Sequence, residues 1–236
     1  MVNGIADLGP TVREFKQIEI KRFEKKYKQK PVYIKIAIAD ICLVAHKDNP
    51  IVQRGLTPQE IDAIYSSTRN KGYKTDITKW SDLGLKGDYQ NQPITLFGRN
   101  SASGFYGYFK KAVLAKGDFK ETVKEQPGLA SIIHHVSKNK FAIGYSSISY
   151  ISKDTLPIPI IINGKIVIPN AENMQNGSYP FSRFMTIVPK PKPDQGLKDY
   201  LKFMLSDEGR KAVKLDGYVN LTKKMAEEQI KIIDSL

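Results

Sequence analysis

The sequence predicts an α/β protein. Short apolar runs alternate with segments of helical spacing along most of the chain, which is the pattern of sheets covered by helices. Two β-rich crossings, near residues 32–45 and 179–189, suit a chain that leaves one lobe and later returns to it. The boundaries read from them are residues 1–39 and 183–236 for a first lobe and 40–182 for a second.

The elements follow in order. Ile5 to Leu8 reads as a short strand, and Thr11-Val12-Arg13-Glu14 has the spacing of a capping box ahead of a helix running to about Lys28. Val32 to Ala45 is nearly continuous in apolar and β-branched residues, so a long strand buried on both faces is expected. Thr57-Pro58-Gln59-Glu60 is a second capping box, with proline at the favoured first helical position. Trp80 follows that helix and is expected in the core of its lobe. Pro93-Ile94-Thr95-Leu96-Phe97 reads as a buried strand, and residues 117–129 as a charged, weakly helical connection. Leu129 to Lys138 is the next helix and Phe141 to Tyr145 the next strand. Asn163-Gly164 between two isoleucine-rich runs marks a hairpin. Phe184 to Val188 closes the strands, and Leu197–Leu205, Asp207–Lys214 and Thr222–Asp234 form the final helices.

Composition narrows the classes. With 41% apolar and 26% charged residues in 236, the chain belongs with ordinary globular proteins. Its longest apolar stretches, such as Ile158 to Ile162, are too short to span a bilayer. Met1-Val2-Asn3-Gly4 lacks the basic and apolar regions of a signal peptide. Cys42 is the single cysteine and reads as a buried small hydrophobe, so no intrachain disulfide can form. The formal charge of +13 raises nucleic-acid binding as one reading. The lysines behind it are scattered, with no arginine stripe or aromatic platform, so a solvated surface that draws in small anions is the preferred one.

The richest stretch is Gly98-Arg99-Asn100-Ser101-Ala102-Ser103-Gly104-Phe105-Tyr106. A strand, a small-residue turn and a helix start direct free backbone N–H groups and the helix dipole at one point, which suits an anion. Arg99 adds a planar fork of donors, and Ser101 and Ser103 add hydroxyls. The same serines could instead serve only as helix caps. Other chemistries lack support. His134 and His135 are adjacent on a helix and face different ways, His46 has no metal-ligand partner at the right spacing, and neither a nucleophile elbow nor a Walker loop is present.

The 98–109 stretch resembles the second phosphate loop of the phosphate-binding proteins that serve ATP-driven phosphate importers, usually Arg, a few small residues, then Ser-Gly-Thr. Further segments fall in that family's order: Ile5-Ala6-Asp7-Leu8-Gly9, Ala45 to Pro50, Thr57 to Ile61 followed by Ile77 to Gly84, Ala142 to Tyr145, Tyr179 to Arg183 and Leu205 to Gly209. The resemblance implies a two-lobed type II periplasmic-binding-protein fold around a cleft, no enzymatic activity and no cofactor. It also implies inorganic phosphate as ligand, a membrane permease as partner and a place outside the cytoplasmic membrane.

Residue by residue, the resemblance makes Asp7 an acceptor for a proton carried by phosphate, and it places Arg99, Ser103, Gly104 and the backbone of Phe105 on the anion. Phe105 departs from the family's threonine and loses a hydroxyl hydrogen bond. The family also opens with a strand and a first phosphate loop ahead of the Ala-Asp segment, which here begins near residue 5. An incomplete first lobe, with phosphate binding weakened or dependent on a missing amino-terminal segment, is therefore expected. A divergent relative that binds another small ligand or a protein partner is the alternative.

Overall fold

The computed structural model describes residues 5–236, so the reading of Met1–Gly4 lies outside the described residues. In chain order the strands are β1 (Leu8–Thr11), β2 (Ile34–Asp40), β3 (Cys42–His46), β4 (Thr95–Arg99), β5 (Val123–Gln126), β6 (Ala142–Ser146), β7 (Thr155–Pro157), β8 (Ile160–Ile162), β9 (Lys165–Val167) and β10 (Ser182–Pro189). The helices are α1 (Gln17–Tyr27), α2 (Ile51–Arg54), α3 (Pro58–Tyr65), α4 (Gly104–Tyr108), α5 (Leu129–Ser137), α6 (Ala171–Gln175), α7 (Gln195–Leu205), α8 (Asp207–Leu215) and α9 (Lys223–Asp234). None of the described helices is long and apolar enough to cross a membrane.

The chain forms two compact units, one from residues up to Asp40 together with Ser182–Leu236, the other from Ile41–Phe181. The first unit holds an antiparallel sheet in the order β1-β10-β2, with a register shift in β10 between Met185 and Thr186. Lys35 on β2 sets its ammonium 4.2 Å from the Phe184 ring centroid, and α9 lies close to β2 through the Gln229 side chain, which accepts from the Lys35 N–H at 2.9 Å.

The second unit holds a five-stranded sheet in the order β5-β4-β6-β3-β7, parallel from β5 through β6 and antiparallel beyond. One face packs on α5 through Cys42, Val44, Phe97, Ile132 and Val136. The other carries an aromatic stack. Phe109 lies 4.1 Å from Tyr145 and 5.6 Å from Phe119, and Tyr65 meets Phe109 edge-on at 5.0 Å. Trp80 is fully buried against Tyr89, as expected. The hairpin at Asn163-Gly164 also forms, with both residues at positive φ (50° and 77°), the geometry of the tight turn that matches strand twist.

Several expectations are corrected. The first strand is Leu8–Thr11 rather than Ile5 to Leu8, and Ile5 is exposed. Thr11 caps no helix because it pairs with Thr186 in the sheet; its hydroxyl donates to the Arg13 carbonyl. The helix starts later, where the Glu19 carboxylate accepts the Lys16 N–H at 2.6 Å and takes both guanidinium arms of Arg13. That pairing with Arg13 and the Lys16 N–H lowers the Glu19 carboxyl to about 2. The stretch 32–45 is two strands, not one. β2 belongs to the first unit's sheet and β3 to the second's, with Ile41 between them. Finally, residues 123–126 form strand β5 where a weakly helical connection was expected.

Candidate anion-binding loop

Strand β4 ends on Arg99, and the chain then turns through Asn100–Ala102 into α4. The turn is closed by the Ser103 N–H, which donates to the Asn100 carbonyl at 3.0 Å. Ser103 is the N-cap of α4, and its hydroxyl accepts the Phe105 N–H at 3.2 Å. Because that oxygen is the acceptor, its own proton is left to donate outward. Gly104, as the first helical residue, has an N–H without an acceptor inside the helix. After Tyr108 the helix widens into a single π-turn, Phe109–Val113, which seats Phe109 between Tyr145 and Phe119.

Arg99 is held from behind. Its backbone N–H donates to the Tyr145 hydroxyl at 2.9 Å. This contact depends on Gly98, where an added Cβ would lie 3.0 Å from both the Tyr145 ring and the Val123 side chain. Burial, opposed by the Arg99 N–H, raises the Tyr145 hydroxyl well above the usual phenol range, so it stays protonated. Among the described residues the buried Nε of Arg99 has no hydrogen-bond partner. Leaving a guanidinium donor desolvated and unpaired is costly unless a ligand supplies the acceptor.

Arg99 lines a cavity of 310 Å³ together with Tyr106, Phe119, Val123 and Lys120. Ser103, Gly104 and Phe105 share the loop with Arg99 but do not line this cavity. The Phe105 side chain turns instead onto the α5 core, against the cluster that contains Cys42, Val44 and Phe97. Sequence reasoning found the loop but missed two supporting residues. Tyr145 gave no local signal, since its role arises from β6 pairing beside β4. Phe119 and the β5 strand behind it lay in a stretch too charged to read as a strand.

Asp7 belongs to the other unit. It precedes β1, and its carbonyl accepts the Lys190 N–H at 2.8 Å while its carboxylate lies 3.0 Å from Lys190 Nζ. That side chain is 65% exposed, so Asp7 has a cationic partner and open access to solvent. A few of the lysines behind the net charge are likewise paired: Lys47 with Asp154, Lys110 with Asp118, Lys140 with Asp88 and Lys202 with Asp234.

A family model described as a PBP superfamily domain matches residues 1–208. Over 237 residues the chain is 44% identical to the phosphate-binding protein PstS of Pseudomonas aeruginosa, a match covering 98% of this chain and 73% of that protein. The structure of a Clostridium perfringens protein with bound phosphate is similar at a TM-score of 0.68 and 26% identity, covering 94% of this chain and 82% of that one. The structure of an ABC-type phosphate transport receptor from Vibrio cholerae has a TM-score of 0.69 at 20% identity, covers 92% of this chain and 81% of that one, and shows a likeness of fold. With a model match over most of its length and a relative at 44% identity, the chain belongs to the PBP superfamily and, within it, to the family of the phosphate-binding protein PstS.

Proposed function

We propose that the protein binds inorganic phosphate through the Arg99–Ser103–Gly104 loop and presents it to the membrane permease of an ATP-driven importer, outside the cytoplasmic membrane. The observation that carries this reading is the Nε of Arg99 at the end of β4, buried and without a hydrogen-bond partner among the described residues, directly ahead of a capped helix start. A tetrahedral oxyanion would accept from the guanidinium, from the Ser103 hydroxyl and from the Gly104 N–H. The names of the relatives support the same ligand. The protein then works by capture and release, with no covalent step.

Asp7 acts in this reading as a proton acceptor that favours a ligand still carrying a proton, so phosphate is preferred over sulfate. Phe105 weakens the site relative to a threonine in its place, because its side chain packs on the α5 core and offers no hydroxyl to the anion.

Isothermal titration of the whole chain with phosphate, sulfate and a single-stranded oligonucleotide tests the proposal. Saturable heat with phosphate, and little with the other two, is the expected result. An absence of phosphate heat up to millimolar concentrations would overturn it.

A further inference from the structure

The sequence contains three Asn-Gly pairs, of which Asn3-Gly4 lies outside the described residues. The other two sit in different backbone settings, and both asparagines are exposed. Asn163-Gly164 is the two-residue turn joining β8 to β9, with both residues at positive φ. Asparagine tolerates this region and glycine adopts it without steric cost. Among the described residues neither the Asn163 side-chain amide nor the Gly164 N–H has a hydrogen-bond partner. The space beside Gly164 is open, since an added Cβ would meet nothing within 4 Å.

Asn176-Gly177 is tied down instead. Asn176 ends α6, where its N–H donates to the Glu172 carbonyl at 2.9 Å and its Oδ1 accepts the Ser178 N–H at 2.9 Å. The chain beyond is anchored by the Tyr179 N–H, which donates to the Asn173 carbonyl at 2.9 Å, and by the buried Tyr179 ring. A side chain held this way must break a hydrogen bond before its carbonyl carbon can turn towards the next backbone nitrogen.

We infer that Asn163 is a deamidation site, selected over Asn176 by the fold. The Gly164 nitrogen forms a bond to Asn163 Cγ, the Cγ–Nδ2 bond breaks, and the Gly164 proton passes through water to the departing nitrogen, which leaves as ammonia. Water then opens the cyclic imide at either carbonyl, giving aspartate or isoaspartate, each with a new negative charge. Isoaspartate routes the main chain through its β-carbon and adds a backbone atom to a turn that strand twist fits to two residues. β8 stays fixed, because the Ile161 N–H donates to the Leu56 carbonyl at 2.8 Å and the Leu56 N–H to the Pro159 carbonyl at 2.9 Å. β9 pairs with β8 alone in a two-stranded sheet, so it is the strand that loosens. The modification is independent of any ligand at the Arg99 loop.

The test is ageing of the whole chain at mildly alkaline pH, followed by peptide mapping by mass spectrometry and enzymatic methylation to mark isoaspartate. Asn163 should convert about three- to tenfold faster than Asn176 in the folded chain, and the two rates should converge in chain unfolded by urea. Hydrogen exchange at Lys165–Val167 should quicken as the parent ages and stay unchanged as Asn163→Gln ages. Equal rates in the folded chain, or faster conversion at Asn176, would overturn the assignment. An excess at Asn163 that persists undiminished in urea would overturn it too, because the difference would then belong to the sequence and not to the fold. Unchanged exchange after conversion would overturn the loosening of β9.

Discussion

The Tyr145 hydroxyl accepts the Arg99 backbone N–H at 2.9 Å, so a buried phenol on β6 fixes the end of β4 from which the guanidinium projects. Tyr145→Phe leaves that N–H without its acceptor while keeping the ring stacked on Phe109. Thermal unfolding should show a loss of about 1–3 kcal/mol. Titration should show phosphate binding weakened by about three- to tenfold, as the strand end loosens. Unchanged affinity in a destabilised variant would mean that Tyr145 supports the sheet and not the site.

At Phe105, stability and phosphate binding are expected to respond to substitution with opposite signs. Replacing it with threonine removes a side chain packed on the Cys42–Val44–Phe97 cluster, at about 1–3 kcal/mol for a partly buried ring. The same change adds a hydroxyl beside the proposed anion. Phosphate affinity should rise by up to about tenfold while Tm falls. If affinity falls together with Tm, position 105 contributes only packing.

Asp7 should set selectivity. Its exposed pairing with Lys190 predicts little change in Tm for Asp7→Asn. An amide can donate to a fully ionised oxyanion, so the preference for phosphate over sulfate should narrow in the variant. An identical ratio of the two affinities in variant and parent would confine Asp7 to its contact with Lys190.

Glu60 carries an acid-sensitive part of the second unit's stability. Burial pushes its carboxyl up, but the Arg54 fork and the Thr57 N–H and hydroxyl outweigh burial, and the net shift is downward. A folded value below the unfolded one gives stability that is present above about pH 4.3 and is lost as pH falls through the folded value. Glu60→Gln should therefore lower Tm at pH 7, by about 1–3 kcal/mol of stability, with the gap from the parent closing below about pH 4. A gap that stays constant across this range would show that the ionised form adds nothing.

What could be read from the sequence was local. Thr57 and Glu60 form the capping box their spacing announces, and Asn163-Gly164 makes the turn that those two residues favour. Thr11 and Glu14 had the same capping spacing as Thr57 and Glu60, yet sheet pairing with Thr186 took Thr11, because a ladder of long-range bonds outweighs one cap. Val123-Lys124-Glu125-Gln126 becomes a strand with little apolar character because it is the sheet edge and pairs with β4 alone. In the loop, Arg99, Ser103 and Gly104 were legible as a contiguous motif. Tyr145, 46 positions beyond Arg99, became visible as its support only once β6 was seen beside β4.

The most direct measurement is calorimetric titration of phosphate into the parent chain, Arg99→Lys and Arg99→Ala. The lysine keeps a charge but lacks the planar fork, so binding should weaken in the order parent, lysine, alanine, with at least about a tenfold loss in the alanine variant. Equal phosphate affinity in all three proteins, with folding intact, would contradict the assignment of the Arg99 loop as the anion site.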